Sequence, residues 1–468
     1  MKLLFICEAL ALDLLLFTSQ STALPPCQHP RWQHLDESTS SSTVNSEDEL
    51  AVQTVSGVTK GFVNPSYPNV RQFLGIPYAK APTGTLRFEP PEALSANSGA
   101  QVQATIIPNA CPQIAASSGS VFPPQFFNQA PWDEDCLSLS IWAPKVNVSD
   151  SLPVIIWIHG LGLQQGSSSV GYQQPPAWIQ RSGEHIVVAV QYRLNIFGFP
   201  NAAGLNRTNL GLLDQRVAME WVRDNIAAFG GDPNQMVLWG QSSGAGAVDA
   251  QNFAFPSDPI VQGFISDSGI NDYTTLNFLA TPDDIVAFAN YTDRYAKGLL
   301  SDKPSIFGSN TNEGVIQVPA PKDPVHMGPN QTLADMATLG FFQCPAFASA
   351  LGWASAKRKT YLYQYGGNFT DLSPLFWQGA YHMSELPQVF GTRGLFNGAA
   401  SSFEVETSNT MQDMWLAFAK DPQGAESGGW VEFGTGNMVL LGSQDKAVQT
   451  VKVADVDKQC SALTAMAA

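Results

Sequence analysis

The chain has 468 residues, of which 44% are hydrophobic and 14% charged, with a net charge of −16. That length can bury a large core, as one big α/β unit or as two domains. The acidic balance and the lack of any Lys/Arg cluster exclude a nucleic-acid-binding surface, which needs a basic face.

Residues 1–23 read as a signal peptide: Lys2, an apolar stretch, then small residues at Ser21 and Ala23 before the cut. Glu8 and Asp13 interrupt that stretch and argue against a membrane anchor, and no later run is long enough to span a bilayer. Residues 24–49 are polar and Ser-rich, the composition of a flexible arm ahead of a single domain over 50–468. Six cysteines are present, with Cys7 inside the leader. An oxidising compartment pairs four of the other five and strands one, expected to be Cys27. Sequons at Asn147, Asn206, Asn290, Asn330 and Asn368 point the same way, to an extracellular glycoprotein. The sequence carries no signal for oligomeric state.

From Leu50 onward strands alternate with helical stretches. "PVIIWIHG" and "HIVVAVQYR" are continuous apolar runs, as in strands buried on both faces. "LLDQRVAMEWVRDNIAAFG" has helical period and runs into Gly230-Gly231, a helix stop. "MVLWG" and "GFISDSG" are further strands. The alternation predicts an α/β fold with a mostly parallel central sheet flanked by helices.

Between "MVLWG" and the small-residue helix start "GAGAVDAQNFA" lies Gly240-Gln241-Ser242-Ser243-Gly244, a G-x-S-x-G match. In a strand–turn–helix setting this is a nucleophile elbow. The apex serine takes a strained backbone, and glycines two away on each side leave room for close approach. A serine hydroxyl needs a base to become a nucleophile, and a carboxylate to hold that base in the right tautomer.

The chain resembles the type-B carboxylesterase/lipase family of α/β-hydrolases, which includes cholinesterases and fungal lipases. The resemblance rests on "FLGIPYAKAPTGTLRFEPP", "CPQ", "EDCLSLSIWAP", "WIHGLG", "YRLNIFGF", "NLGLLDQRVAMEWVRDNIAAFGGDP", "WGQSSGA", "GSNTNEG" and "GAYHMSELPQVFG", in the family's order, over roughly Val52 to Cys460. It implies Ser242 as nucleophile, Glu313 as the acid and His382 as the base, working without metal or organic cofactor. His326, in a Pro-rich loop, and Glu385, three residues after His382, are the competitors for the last two roles. The resemblance further implies an oxyanion hole from the N–H groups of Ser243, Leu161 and Gly162. It implies ion pairs Arg87–Glu134 and Arg193–Asp214, and disulfides Cys111–Cys136 and Cys344–Cys460. The first disulfide closes an aromatic loop that shapes the site entrance and serves as a lid in lipases.

Two features depart from the family. Leu161 stands where the oxyanion loop usually has its middle glycine, and a leucine reaches positive φ only at a cost. The preferred reading is a working hole with a narrower pocket, the other being impaired catalysis. The interval from Ser268 to Glu313 is also short, with a joint near "GINDYTTLNF", so one wall of the substrate gorge is expected to be missing. Trp132 lies too close to "EDC" to support a choline site. The expected activity is hydrolysis of a small-molecule or lipid ester. The alternatives are a triacylglycerol lipase with a lid, or a catalytically impaired or non-catalytic family member.

Overall fold

The run Leu152–Ile158 forms a strand with every residue after the first buried, and Ile186–Val190 forms a strand buried throughout. Their side chains alternate between two cores. Ile155, Trp157, Val187 and Ala189 enter one, whereas Val154, Ile156, Ile158 and Val188 enter the other. This is why the sequence shows unbroken apolar runs: both sheet faces are covered. Each of the buried valines and isoleucines contributes roughly 1.5–3 kcal/mol.

The computed structural model describes residues 50–97, 99–114, 126–128, 130–145, 151–205, 207–269, 279–396 and 398–460. The leader, the arm, Cys27, Asn147, Asn206 and most of the stretch at the "GINDYTTLNF" joint lie outside these residues.

Seven parallel strands form the centre of an eleven-stranded sheet. In spatial order they are β8 (Ile186–Val190), β7 (Leu152–Ile158), β9 (Gly231–Gln241), β10 (Gly263–Asp267), β11 (Ser305–Asn310), β12 (Thr360–Tyr365) and β13 (Asn437–Ser443). Antiparallel β6 (Ser138–Pro144), β4 (Val70–Pro77) and β3 (Phe62–Val63) extend the sheet beyond β8, and β14 (Lys446–Lys452) closes the other edge. A separate three-stranded sheet joins β1 (Ala51–Thr54), β2 (Gly57–Lys60) and β5 (Gln101–Gln103).

The helix Ser402–Lys420 sends Met411, Trp415 and Phe418 into the first core. The helices Leu210–Asn225 and Ser243–Ala254 send Met219, Val222, Ala247 and Val248 into the second. The helix Leu210–Asn225 passes into a 3₁₀ turn that stops at Gly230 with φ 94°, where the sequence placed the break. This is the α/β-hydrolase architecture, with a mostly parallel sheet between helical layers.

Candidate active site

Three loops at the C-terminal ends of the parallel strands converge, the usual position for a site in an open α/β sheet. Ser242 follows β9, Glu313 follows β11, and His382 lies beyond β12. Ser242 has φ 58° and ψ −127°, a strained conformation for any residue but glycine. Its own N–H holds the carbonyl of Asp267 on β10 at 2.8 Å, and its carbonyl accepts from Gly246 at 3.1 Å as the helix begins. The flanking glycines are obligatory for steric reasons. A β-carbon at Gly240 would come 2.4 Å from the Gly244 oxygen, and one at Gly244 would come 2.2 Å from the Ile158 oxygen.

The Glu313 carboxylate is fully buried. Oε2 lies 2.6 Å from Nδ1 of His382. Oε1 accepts from the Ser268 hydroxyl at 2.5 Å and from the Asn310 N–H at 2.7 Å. Such a carboxylate is oriented on both oxygens and fixes the imidazole with hydrogen on Nδ1, leaving Nε2 as acceptor. No hydrogen bond joins Ser242 Oγ to His382 among the described residues; that bond commonly tightens only with substrate bound.

The competitors fall elsewhere. His326 is exposed and bonds Asp323 at 2.9 Å. His185 is buried against Trp178 with its Nδ1 2.9 Å from the Ser182 hydroxyl, and burial lowers it to about 3. Glu385 does not reach the histidine; its Oε2 accepts from the Asn310 side chain. Burial, reinforced by the Glu313 charge, pushes the Glu385 carboxyl well above the usual carboxylate range. Asp267 is raised to about 7, chiefly by burial, although the Trp239 indole donates to it at 2.5 Å.

The loop after β7 lies against the elbow. A β-carbon at Gly160 would come 2.9 Å from the Ser242 β-carbon. Leu161 has φ 73° and Gly162 φ 69°. The leucine thus does adopt the left-handed conformation, at a cost of roughly 1–2 kcal/mol relative to glycine, while its side chain packs on the first core. The N–H groups of Leu161 and Gly162 donate to no acceptor among the described residues. Ser243 opens its helix, so its N–H is among those a helix leaves without an internal acceptor. Its hydroxyl accepts from the Leu163 N–H at 3.0 Å, which ties the two loops together.

The supporting contacts are also formed. Arg193 and Asp214 make a buried bidentate pair at 2.9 and 2.7 Å, and Arg193 also donates to the Arg87 carbonyl at 3.1 Å. Arg87 itself binds Glu134 through two hydrogen bonds, at 2.5 and 2.7 Å, on a more exposed surface. Disulfides join Cys111 to Cys136 and Cys344 to Cys460. The 25-residue loop of the first contributes about 3 kcal/mol on a chain-entropy argument. Gln113, inside that loop, exchanges two hydrogen bonds with Gly166 at 2.9 and 3.0 Å, anchoring one end of the loop beside the elbow.

Sequence reasoning did not single out Ser268 as a Glu313 ligand, nor Asn310. The only available signal was their position, at or just past the ends of β10 and β11. Trp132, set aside as a choline-site residue, is 57% exposed.

The sheet order, the elbow and the site at the strand ends define an α/β-hydrolase. A family model described as the carboxylesterase family matches residues 48–277 and 322–461, more than half of the chain. The chain belongs to the carboxylesterase family and is a carboxylic-ester hydrolase. The match lapses over 278–321, yet β11 and Glu313 lie inside that interval, so the strand leading to the acid loop is in place.

Among curated relatives, the chain is 39% identical to chlorogenic acid esterase of Aspergillus niger over 439 aligned positions, covering 82% of this chain and 85% of that one. It is 36% identical to secreted lipase 5 of Gibberella zeae over 518 aligned positions, covering 90% and 96%. It is also similar to acetylcholinesterase of Electrophorus electricus, 35% identical over 239 positions, covering 49% of this chain and 37% of that enzyme. No helix among the described residues is long and apolar enough to cross a membrane.

Proposed function

We propose that this chain is a secreted serine esterase that turns over through an acyl-enzyme on Ser242. The observation that carries the proposal is the 2.6 Å contact between Glu313 and His382, in a loop cluster that also holds the elbow serine. His382 Nε2 takes the Ser242 proton as Oγ attacks the ester carbonyl. The oxyanion is held by the N–H groups of Ser243, Leu161 and Gly162. Collapse of the tetrahedral intermediate breaks the ester C–O bond, and His382 returns the proton to the leaving alcohol. Water then repeats the sequence on the acyl group, releasing the acid and free Ser242. The bond changes balance with the ester and water alone.

Secretion is supported by the relatives named as secreted and by two formed disulfides, which belong to oxidising compartments. The sequons at Asn290, Asn330 and Asn368 are exposed. Asn290 and Asn330 use Oδ1 to cap helices, which keeps Nδ2, the atom a glycan takes, out of the cap. A second reading is triacylglycerol hydrolysis with the 111–136 loop as a lid. It is favoured by the exposed side chains of Ile114 and Trp132 within that loop, and by relatives named lipases.

The test is hydrolysis of aryl esters from acetate to palmitate by protein purified from a secreting host. Peak activity on short chains, without a jump at an oil–water interface, supports the first reading. A long-chain peak with interfacial activation selects the lipase. Folded protein that turns over no ester overturns both.

A further inference from the structure

The Gln241 side chain is buried against the His382 ring. Its Nε2 lies 3.2 Å from His382 Nε2 and 3.4 Å from His382 Nδ1. The two ring nitrogens flank a single carbon. An atom almost equidistant from both, at these distances, would collide with that carbon if it lay in the ring plane. It therefore sits over the ring face. The amide leaves the in-plane lone pair of Nε2 unblocked, and Nδ1–H stays with Glu313. The Gln241 Oε1 end is turned toward the loop after β7, where a β-carbon at Gly160 would lie 3.2 Å from it. The positive N–H end of the amide dipole thus rests on the imidazole. Phe342 adds a second contact, its ring centroid 4.6 Å from that of His382 at an interplanar angle of 41°. Phe342 lies in a wide helical turn, Thr338–Gln343, immediately before disulfide-bonded Cys344.

Resting on the assignment of His382 as the base, we infer that Gln241 is a positioning residue that fixes the plane of the imidazole and disfavours its protonated form. An N–H dipole over the face attracts a neutral aromatic ring and repels an imidazolium. The titratable group on the ring is Glu313 at Nδ1; beyond it lie Glu385 and Asp267, which both feel the Glu313 charge. Glu313 contacts the ring edge from another element, while the Gln241 amide rests on its face.

The test is the pH profile of kcat/KM on an aryl acetate for the wild type, Gln241→Glu and Gln241→Met. Gln241→Glu exchanges the dipole for a carboxylate and is expected to move the acid limb to higher pH by about one unit. Gln241→Met keeps the bulk without the dipole. It should move the limb the same way by a few tenths, lowering kcat with little change in KM. An acid limb that stays put or moves to lower pH in either folded variant overturns the inference. Thermal unfolding establishes folding, and Gln241→Met decides alone if the glutamate variant does not fold. Ser242→Ala runs in parallel. If it retains hydrolysis the catalytic assignment has failed, whereas an inactive Ser242→Ala with unmoved limbs means that only the role of Gln241 has failed.

Discussion

Glu313 meets His382 Nδ1 with one carboxylate oxygen while the other is held by Ser268 and by the main chain of Asn310. The carboxylate therefore has one orientation, and the imidazole inherits it. Glu313→Gln is expected to lower kcat by about 10³- to 10⁴-fold, because an amide can present its N–H and impose the wrong tautomer. Ser268→Ala leaves Oε1 with the Asn310 N–H and should cost far less, about tenfold. Steady-state kinetics on one soluble ester, with unfolding curves to confirm folding, separates the two.

Leu161 holds the left-handed conformation with its side chain against the first core. Leu161→Gly removes bulk beside the elbow and keeps the N–H. Bulky esters should gain relative to the wild type, with small acetate esters within a few-fold. A gain of about 100-fold on small esters, the size of a whole oxyanion donor, would show that the leucine distorts the hole.

The sheet and the elbow were legible in the sequence because each depends on local pattern, whereas Glu313 and His382 were expected only through the family resemblance. Continuous apolar runs mean strands covered on both faces, and glycines at 240 and 244 are there because a β-carbon has nowhere to go. Ser268 and Gln241 were not legible as His382 or Glu313 partners. Their roles arise only when β10 pairs with β9 in register, Asp267 opposite Gln241, and when the loop beyond β12 folds back over the strand ends. The positive φ of Leu161 was likewise hidden, since the sequence alone reads as a loss of the glycine that the conformation calls for.

The ion pairs differ in burial, and their removal should differ accordingly. Asp214→Ala leaves the Arg193 guanidinium buried without its carboxylate and is expected to cost about 3–5 kcal/mol. Glu134→Ala breaks a more exposed pair and should shift the urea midpoint much less. Equal shifts would mean that burial does not rank these two contacts.

Stability should fall as pH rises from 6.5 to 8. Burial raises Asp249 and Asp267 to about 7, and raises Glu385 as well. In the unfolded chain these carboxyls titrate near 4, so between the two values the folded state holds more protons. That stabilisation is complete below the unfolded value and is lost as pH rises through the folded one. His159 and His185, lowered by burial, act in the opposite sense, but mainly below pH 6.5. The two aspartates alone predict a loss of about 1–2 kcal/mol over the interval. Urea unfolding at both pH values measures it, and a rise in stability toward pH 8 would contradict the assignment.

In the proposed mechanism Ser242 Oγ is the atom acylated during turnover. A fluorophosphonate probe followed by peptide mass spectrometry tests it directly. One labelled residue, Ser242, is expected, with labelling and ester hydrolysis both abolished in a folded Ser242→Ala variant. A label on another serine, with hydrolysis intact in that variant, would contradict it.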